Sequence, residues 1–223
     1  MDAEIIRNLE KLRSEIPSGV ELVAVSKFKP IEDLRAAYKA GQRFFGESRV
    51  QELLQKIPLM PSDVKWHFIG HLQTNKVKQL IGQVNLIESV DSEYLLRKID
   101  EESKKKGCVT DVLLQVHVAQ EETKFGFLPR EILEFFEASD YRNYENIRIH
   151  GLMAMATNTD DVSRIREDFS SVADLFRKVK KEHAKELKDF TTLSMGMTSD
   201  WPIAVEEGAT LIRIGSAIFG DRN

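Results

Sequence analysis

Apolar positions mark one helical face at the start of the chain, then alternate between strand-like runs and helix-length stretches almost to its end. Ile5, Ile6, Leu9 and Leu12 recur at helical spacing, which predicts an amphipathic helix over Asp2 to Glu15. Leu22 to Lys27 reads as a first strand and Ile31 to Ala40 as a helix stopped by Gly41. The pattern then repeats. Strands are predicted at Phe44 to Ser48, Lys65 to Gly70, Leu86 to Val90, Asp111 to Val118, Ile147 to Ala156, Phe190 to Met197 and Leu211 to Phe219. Helices separate them: Arg49 to Ile57, Asn75 to Ile81 with Thr74 as its N-cap, and one capped by Asp91 that runs through Lys106. Three more are opened by Pro129, span Val162 to Lys185, and span Pro202 to Glu207.

Strict alternation with short connections demands a parallel sheet. Eight such units in about 200 residues are the content of a compact (β/α)8 TIM barrel, here one domain with an extra N-terminal helix. The competing architecture is an open doubly wound sheet, which often carries a G-x-G-x-x-G turn after its first strand; none follows Lys27. Composition narrows function more than fold. The 223 residues are 42% hydrophobic and 30% charged with a formal net charge of −4, so no global positive field favours nucleic acid or anionic membrane. The lone Cys108 excludes an intramolecular disulfide and a cysteine-based zinc cluster. The mixed charges of the first residues do not form a secretory signal, and no apolar run is long enough to cross a bilayer, so a cytoplasmic protein is expected.

A barrel assembles its active site at the C-terminal ends of its strands, and several candidates lie there. Lys27 ends the first strand on the same side as Val23 and Val25. An ammonium held against apolar walls loses hydration, which favours the neutral amine needed for Schiff-base formation. Arg213 shares a face of the last strand with Leu211 and Gly215, so it points into the barrel and requires an anion, a ring nitrogen or a core carboxylate. Gly215 and Ser216 supply close backbone approach, N–H groups and a hydroxyl, the elements of a phosphate cradle. Ser194 and Gly196, where strand seven ends in a small hydroxyl-rich turn, supply a second edge.

Other strand ends say less. Glu47 and Ser48 end strand two, either as site groups or as a cap for the next helix. His67 reads as a hydrogen-bonded structural histidine and His71 as more exposed; Lys124 adds a cation near the mouth, His150 lies on strand six, and Met153 is expected to pack against whatever fills the centre. No metal-ligand spacing and no serine nucleophile elbow is present.

A Schiff-base lysine on strand one, an inward arginine and a phosphate cradle on strands seven and eight together describe a pyridoxal 5′-phosphate (PLP) site. The segments AVSKFKP, FGESRVQE, WHFIGHLQTNK, HGLMAM, LSMGMTSD and LIRIGSAIFG resemble, in order and through nearly the whole chain, the PLP homeostasis protein family on its alanine-racemase-type barrel. The resemblance implies that Lys27 carries PLP as a Schiff base, that Arg213 faces the pyridine nitrogen, and that Ser194, Gly215 and Ser216 bind phosphate. An arginine there does not favour a protonated ring nitrogen, which weakens the cofactor as an electron sink.

Two positions depart from the family pattern: Ser48 replaces the asparagine of FGEN, and Thr198 replaces the serine of SMGMS with the hydroxyl kept. Racemases on this barrel add a β-rich domain whose tyrosine acts on the second face of the cofactor. With strand eight reaching Phe219, no length for that domain is expected before Asn223. The expectation is a monomeric protein that holds PLP and delivers it to PLP-dependent apo-enzymes without substantial turnover. A small PLP-dependent amino-acid racemase is the alternative, and a Schiff-base aldolase acting on a sugar phosphate a more distant one, since its lysine usually sits on a later strand.

Overall fold

In the computed structural model, which describes residues 2–119, 125–138 and 140–220, eight parallel strands close into a barrel in chain order. The strands are β1 (Glu21–Val25), β2 (Phe44–Glu47), β3 (Lys65–Phe68), β4 (Leu86–Val90), β5 (Thr110–Val116), β6 (Ile147–Ala154), β7 (Thr192–Ser194) and β8 (Leu211–Ile214). An amphipathic α1 (Asp2–Glu15) precedes them. The connecting helices are α2 (Ile31–Lys39), α3 (Val50–Lys56), α4 (Val77–Leu80), α5 (Glu93–Lys106), α6 (Pro129–Glu137), α7 (Val162–Glu182) and α8 (Trp201–Glu206), and a one-turn α9 (Ser216–Phe219) follows β8. The (β/α)8 barrel with its added helix is the architecture the alternation predicts.

Two apolar layers make the core. Outside the sheet, Leu34, Leu53, Leu80, Leu96, Phe136, Phe169 and Val172 are fully buried between helices and strands. Inside, among the described residues, Leu86, Leu113 and Met153, with half-buried Met155, form a small apolar cluster. Polar side chains fill much of the rest.

Several boundaries differ from expectation for local reasons. The run Ala217-Ile218-Phe219 is apolar enough for a strand, yet Ile218 and Phe219 donate their N–H groups to the Gly215 carbonyl at 2.9 and 3.0 Å and form one helical turn. This turn lies against α1, where the Asn8 amide donates to the Ile218 carbonyl at 3.1 Å. Strand β8 therefore stops at Ile214, and β7 is likewise shorter than its apolar run. Asp91 is engaged with His71, and Ser92 caps α5 in its place, accepting from the Leu95 N–H at 3.3 Å. Thr74 opens a 3-10 turn (Thr74–Lys76) instead of capping a helix.

Candidate functional site

At the C-terminal mouth, the loops after β1, β7 and β8 enclose a cleft of about 520 Å³. Val25 and Lys27 reach it from β1, Met197, Thr198 and Ser199 from the β7 loop, and Arg213, Gly215 and Ser216 from β8 and α9. The alternation that places Val25 and Lys27 on the cleft side sends Ser26 outward. Lys27 is half-buried and lies two residues beyond the end of β1. Its neighbour Lys29 donates to the Phe219 and Gly220 carbonyls at 3.1 and 3.0 Å, tying the lysine loop to the end of α9.

Below the cleft a charged network crosses the barrel. Arg213, only 4% exposed, donates through Nη2 to the Ala154 carbonyl at 2.9 Å and through Nη1 to Ser194 Oγ. Ser194 Oγ donates to Glu88 Oε2 at 2.6 Å, and Glu88 Oε1 meets His67 Nδ1 at 2.7 Å. Arg213 Nη1 stands 3.5 Å from Glu88. Burial alone would push the Glu88 carboxyl up, but His67, Arg213 and Ser194 outweigh it and hold it below the ordinary glutamate value. Burial lowers Arg213, and the charges of Glu88 and Asp200 oppose that shift. The core carboxylate that an inward arginine could require is therefore present. It is Glu88.

Lys27, Arg213, Gly215 and Ser216 thus converge, whereas Ser48, Met153, Ser194 and Gly196 do not line the cleft. The Ser194 hydroxyl donates to Glu88 and accepts from Arg213, which makes it part of the network below the cleft. Gly196, at φ +92°, allows the β7 loop to pass α8: a methyl there would lie 2.8 Å from the Ala204 methyl. The Gly196 carbonyl accepts the Arg213 N–H at 3.0 Å. Thr198 is the hydroxyl that the β7 loop brings to the cleft, its Oγ1 3.2 Å from Ser216 Oγ. Met153 belongs to the apolar cluster inside the barrel, and Ser48 is half-buried beside Arg49, the N-cap residue of α3.

His67 is the buried, hydrogen-bonded histidine expected. His71 is paired through Nδ1 with Asp91 at 2.9 Å and stacked on the Phe125 ring at 3.9 Å, on the β3–β4 side of the mouth. His150 is half-buried with Nε2 3.1 Å from Asp111. Lys124 lies outside the described residues, among which no cluster of metal-ligating side chains occurs. Sequence reasoning missed Glu88. Its signal is a carboxylate inside the apolar run Leu86-Ile87-Glu88-Ser89-Val90, on the inward face shared with Leu86.

The chain matches the family described as alanine racemase, N-terminal domain, over residues 2–223. It is 40% identical over 203 residues to the pyridoxal phosphate homeostasis protein of Aquifex aeolicus, covering 91% of this chain and 87% of that protein. The human protein of the same name is 40% identical over 216 residues, covering 91% of this chain and 76% of that protein. PipY of Synechococcus elongatus, solved with PLP bound, superposes with a TM-score of 0.88 at 35% identity over 97% of this chain and 100% of that one. Alanine racemase of Clostridium difficile shares the fold, with a TM-score of 0.79 at 15% identity over 99% of this chain and 57% of that one. The chain belongs to the pyridoxal phosphate homeostasis protein family, built on the alanine racemase N-terminal barrel.

Proposed function

We propose that the chain binds PLP in this cleft as a Schiff base on Lys27, and serves PLP homeostasis as a monomeric cytoplasmic holder that releases the cofactor to apo-enzymes without substantial turnover. The observation that carries this reading is the convergence of Lys27, Arg213, Gly215 and Ser216 on one cleft of about 520 Å³. The lining suits the cofactor: an amine for its aldehyde, a buried cation for the ring edge, and paired hydroxyls beside a helical turn for its phosphate. When bound, PLP supplies an electrophilic carbon and a ring able to accept electrons. Arg213, a donor that keeps its charge, disfavours a protonated ring nitrogen and so restrains the second property. No helix among the described residues is long and apolar enough to cross a membrane.

Borohydride reduction of the protein with PLP, followed by peptide mapping, is expected to place the pyridoxyl group on Lys27. Label found solely on another lysine would sink the assignment. The phosphate contribution is separable. Ser216→Ala and Thr198→Ala each remove a hydroxyl donor to a charged group, worth about 1.5–3 kcal/mol, so each should weaken PLP about ten- to a hundredfold. Pyridoxal, lacking the phosphate, should bind poorly to all variants. Equal affinity of the wild-type chain for pyridoxal and PLP would remove the cradle from the account.

The His71–Asp91 pair favours a second reading, a weak racemase, because a carboxylate-oriented imidazole at the barrel mouth is a conventional acid/base. Against it, no tyrosine, histidine or cysteine among the described residues lines the cleft. Inversion needs proton donors and acceptors on both faces of the reacting carbon, and Lys27 serves one. Solvent deuterium incorporation at Cα of alanine and serine, with chiral product analysis, should show no sustained inversion. Multiple turnovers lost in both Lys27→Ala and His71→Ala would establish the racemase instead.

A further inference from the structure

Both peptide groups that flank the Lys27 Cα are held from α3, on the far side of β1 from the cleft. The carbonyl of the Ser26–Lys27 peptide accepts from Lys56 Nζ at 2.8 Å, and the N–H of the Lys27–Phe28 peptide donates to Glu52 Oε1 at 2.6 Å. Lys56 Nζ also donates to Glu52 Oε1 at 2.7 Å and to Glu47 Oε1 at 2.8 Å, and Ser26 Oγ donates to the same Glu47 oxygen at 2.6 Å. An ammonium has three N–H donors, so that of Lys56 is fully used. The group is interior: Glu47 is inaccessible and Lys56 only 7% exposed.

Its placement follows from the fold. Gly46 pairs with Val25, which sets Glu47 beside Ser26, while Glu52 and Lys56, four residues apart, share one face of α3. A cluster serving only to fasten helix to sheet would end on strand or helix groups. This one ends on the loop that carries Lys27.

The backbone bears the mark of that restraint. Phe28 has φ +64°, in the left-handed region that side chains other than glycine rarely adopt, and its ring is 50% exposed, so burial of the ring does not account for the conformation. The Arg49 guanidinium covers the ring at 4.6 Å, a third contact from the same segment. Glu47, Arg49 and Glu52 of FGESRVQE, together with Lys56, thereby acquire a role that contact with a cofactor does not explain.

We propose that Glu52, Lys56 and Glu47 form a positioning clamp for Lys27, fixing both of its peptide planes so that the amine enters the cleft at the angle needed to attack an aldehyde carbon. In that reaction the Lys27 nitrogen bonds to the carbon, the carbonyl oxygen leaves as one water, and no oxidant or reductant is required. The inference rests on the assignment of Lys27 above. The clamp acts on geometry alone, so its loss should slow and weaken Schiff-base formation and spare binding that needs no Schiff base.

Glu52→Ala is the variant of choice, because the Glu52 side chain is 19% exposed and its loss leaves Lys56 paired with Glu47. It is expected to lower the rate and equilibrium constant of Schiff-base formation with PLP, read by absorbance, by about ten- to a hundredfold. Its affinity for pyridoxamine 5′-phosphate, which has the ring and phosphate but no aldehyde, should stay within about twofold of wild type, because the phosphate and ring contacts do not involve the clamp. Glu52→Gln keeps an acceptor for the Phe28 N–H and should recover most of the rate. Lys56→Met strands the buried Glu47 charge and can fail to fold; the double variant Lys56→Met/Glu47→Gln removes both charges and should repeat the Glu52→Ala result. Wild-type kinetics in Glu52→Ala, or equal losses for PLP and pyridoxamine phosphate, overturns the clamp. Absence of a Schiff base on Lys27 in the wild-type chain overturns the underlying assignment first.

Discussion

Replacing Glu88 with leucine is expected to destabilise the fold by about 3–5 kcal/mol, because it strands the buried Arg213 guanidinium without its carboxylate. The charge cannot be shed, since an arginine does not deprotonate in a protein, and Ser194 loses the acceptor of its proton at the same time. Glu88→Gln retains the shape and an acceptor and should cost less. Leucine at both 88 and 213 removes both charges and should recover much of the loss, which a double-mutant cycle of denaturant midpoints would measure. A loss below about 1 kcal/mol for Glu88→Leu would show that Arg213 does not depend on the pair.

The same carboxylate carries a pH signature. Its folded-state pKa lies below the unfolded one, so its contribution is present above the unfolded value, about 4.3, and is lost as pH falls through the folded value. The stability gap between wild type and Glu88→Gln should therefore narrow as the solution is acidified below about pH 4. Glu21, Glu47 and Asp200 are raised, chiefly by burial, and act in the opposite sense: each favours the folded state below its unfolded pKa, and that contribution is lost as pH rises through the folded value. The total acid profile thus mixes both signs, and the difference between the two proteins isolates Glu88.

The barrel was legible because βα alternation is a repeated, long-range signal: each strand run and each amphipathic stretch points to the same closed sheet. Lys27 and Arg213 were legible for a related reason, as charges at inward positions next to apolar runs. What the sequence does not show has different causes. Ser194 sits on an inward face at the end of β7, so its position suggests phosphate; its hydrogen bond to Glu88 is invisible in the sequence because that partner is 106 residues away. Glu88 is visible as a carboxylate on the inward face of an apolar run, but its partners, like those of the α3 clamp, are contacts between elements that neither periodicity nor spacing expresses. Strand β8 reads too long in the sequence because Ile218 and Phe219 are buried, with Ala217 half-buried beside them, and burial of a short apolar run looks alike in a strand and in one helical turn.

Gly151→Ala is expected to cost more than about 4 kcal/mol or to prevent folding altogether. A methyl at this position would fall 1.7 Å from the Thr192 carbonyl oxygen and 2.7 Å from its carbon, and both are backbone atoms of the neighbouring strand that no rotamer change can move. Relief requires β6 and β7 to part. Two residues further along the same pairing, Met153 faces Ser194, so separation there withdraws Ser194 from Arg213 and Glu88 and loosens the floor of the cleft. The glycine of HGLMAM is therefore a requirement of strand approach on which the site depends, although it touches no ligand. Gly107→Ala is the matched control: Gly107 also has positive φ, +65°, but nothing lies within 4 Å of an added methyl, and its loss should cost only about 1 kcal/mol of left-handed strain. Denaturant midpoints that coincide for the two variants would show that β6 and β7 do not approach this closely, and the link from Gly151 through Ser194 to Arg213 would have to be abandoned.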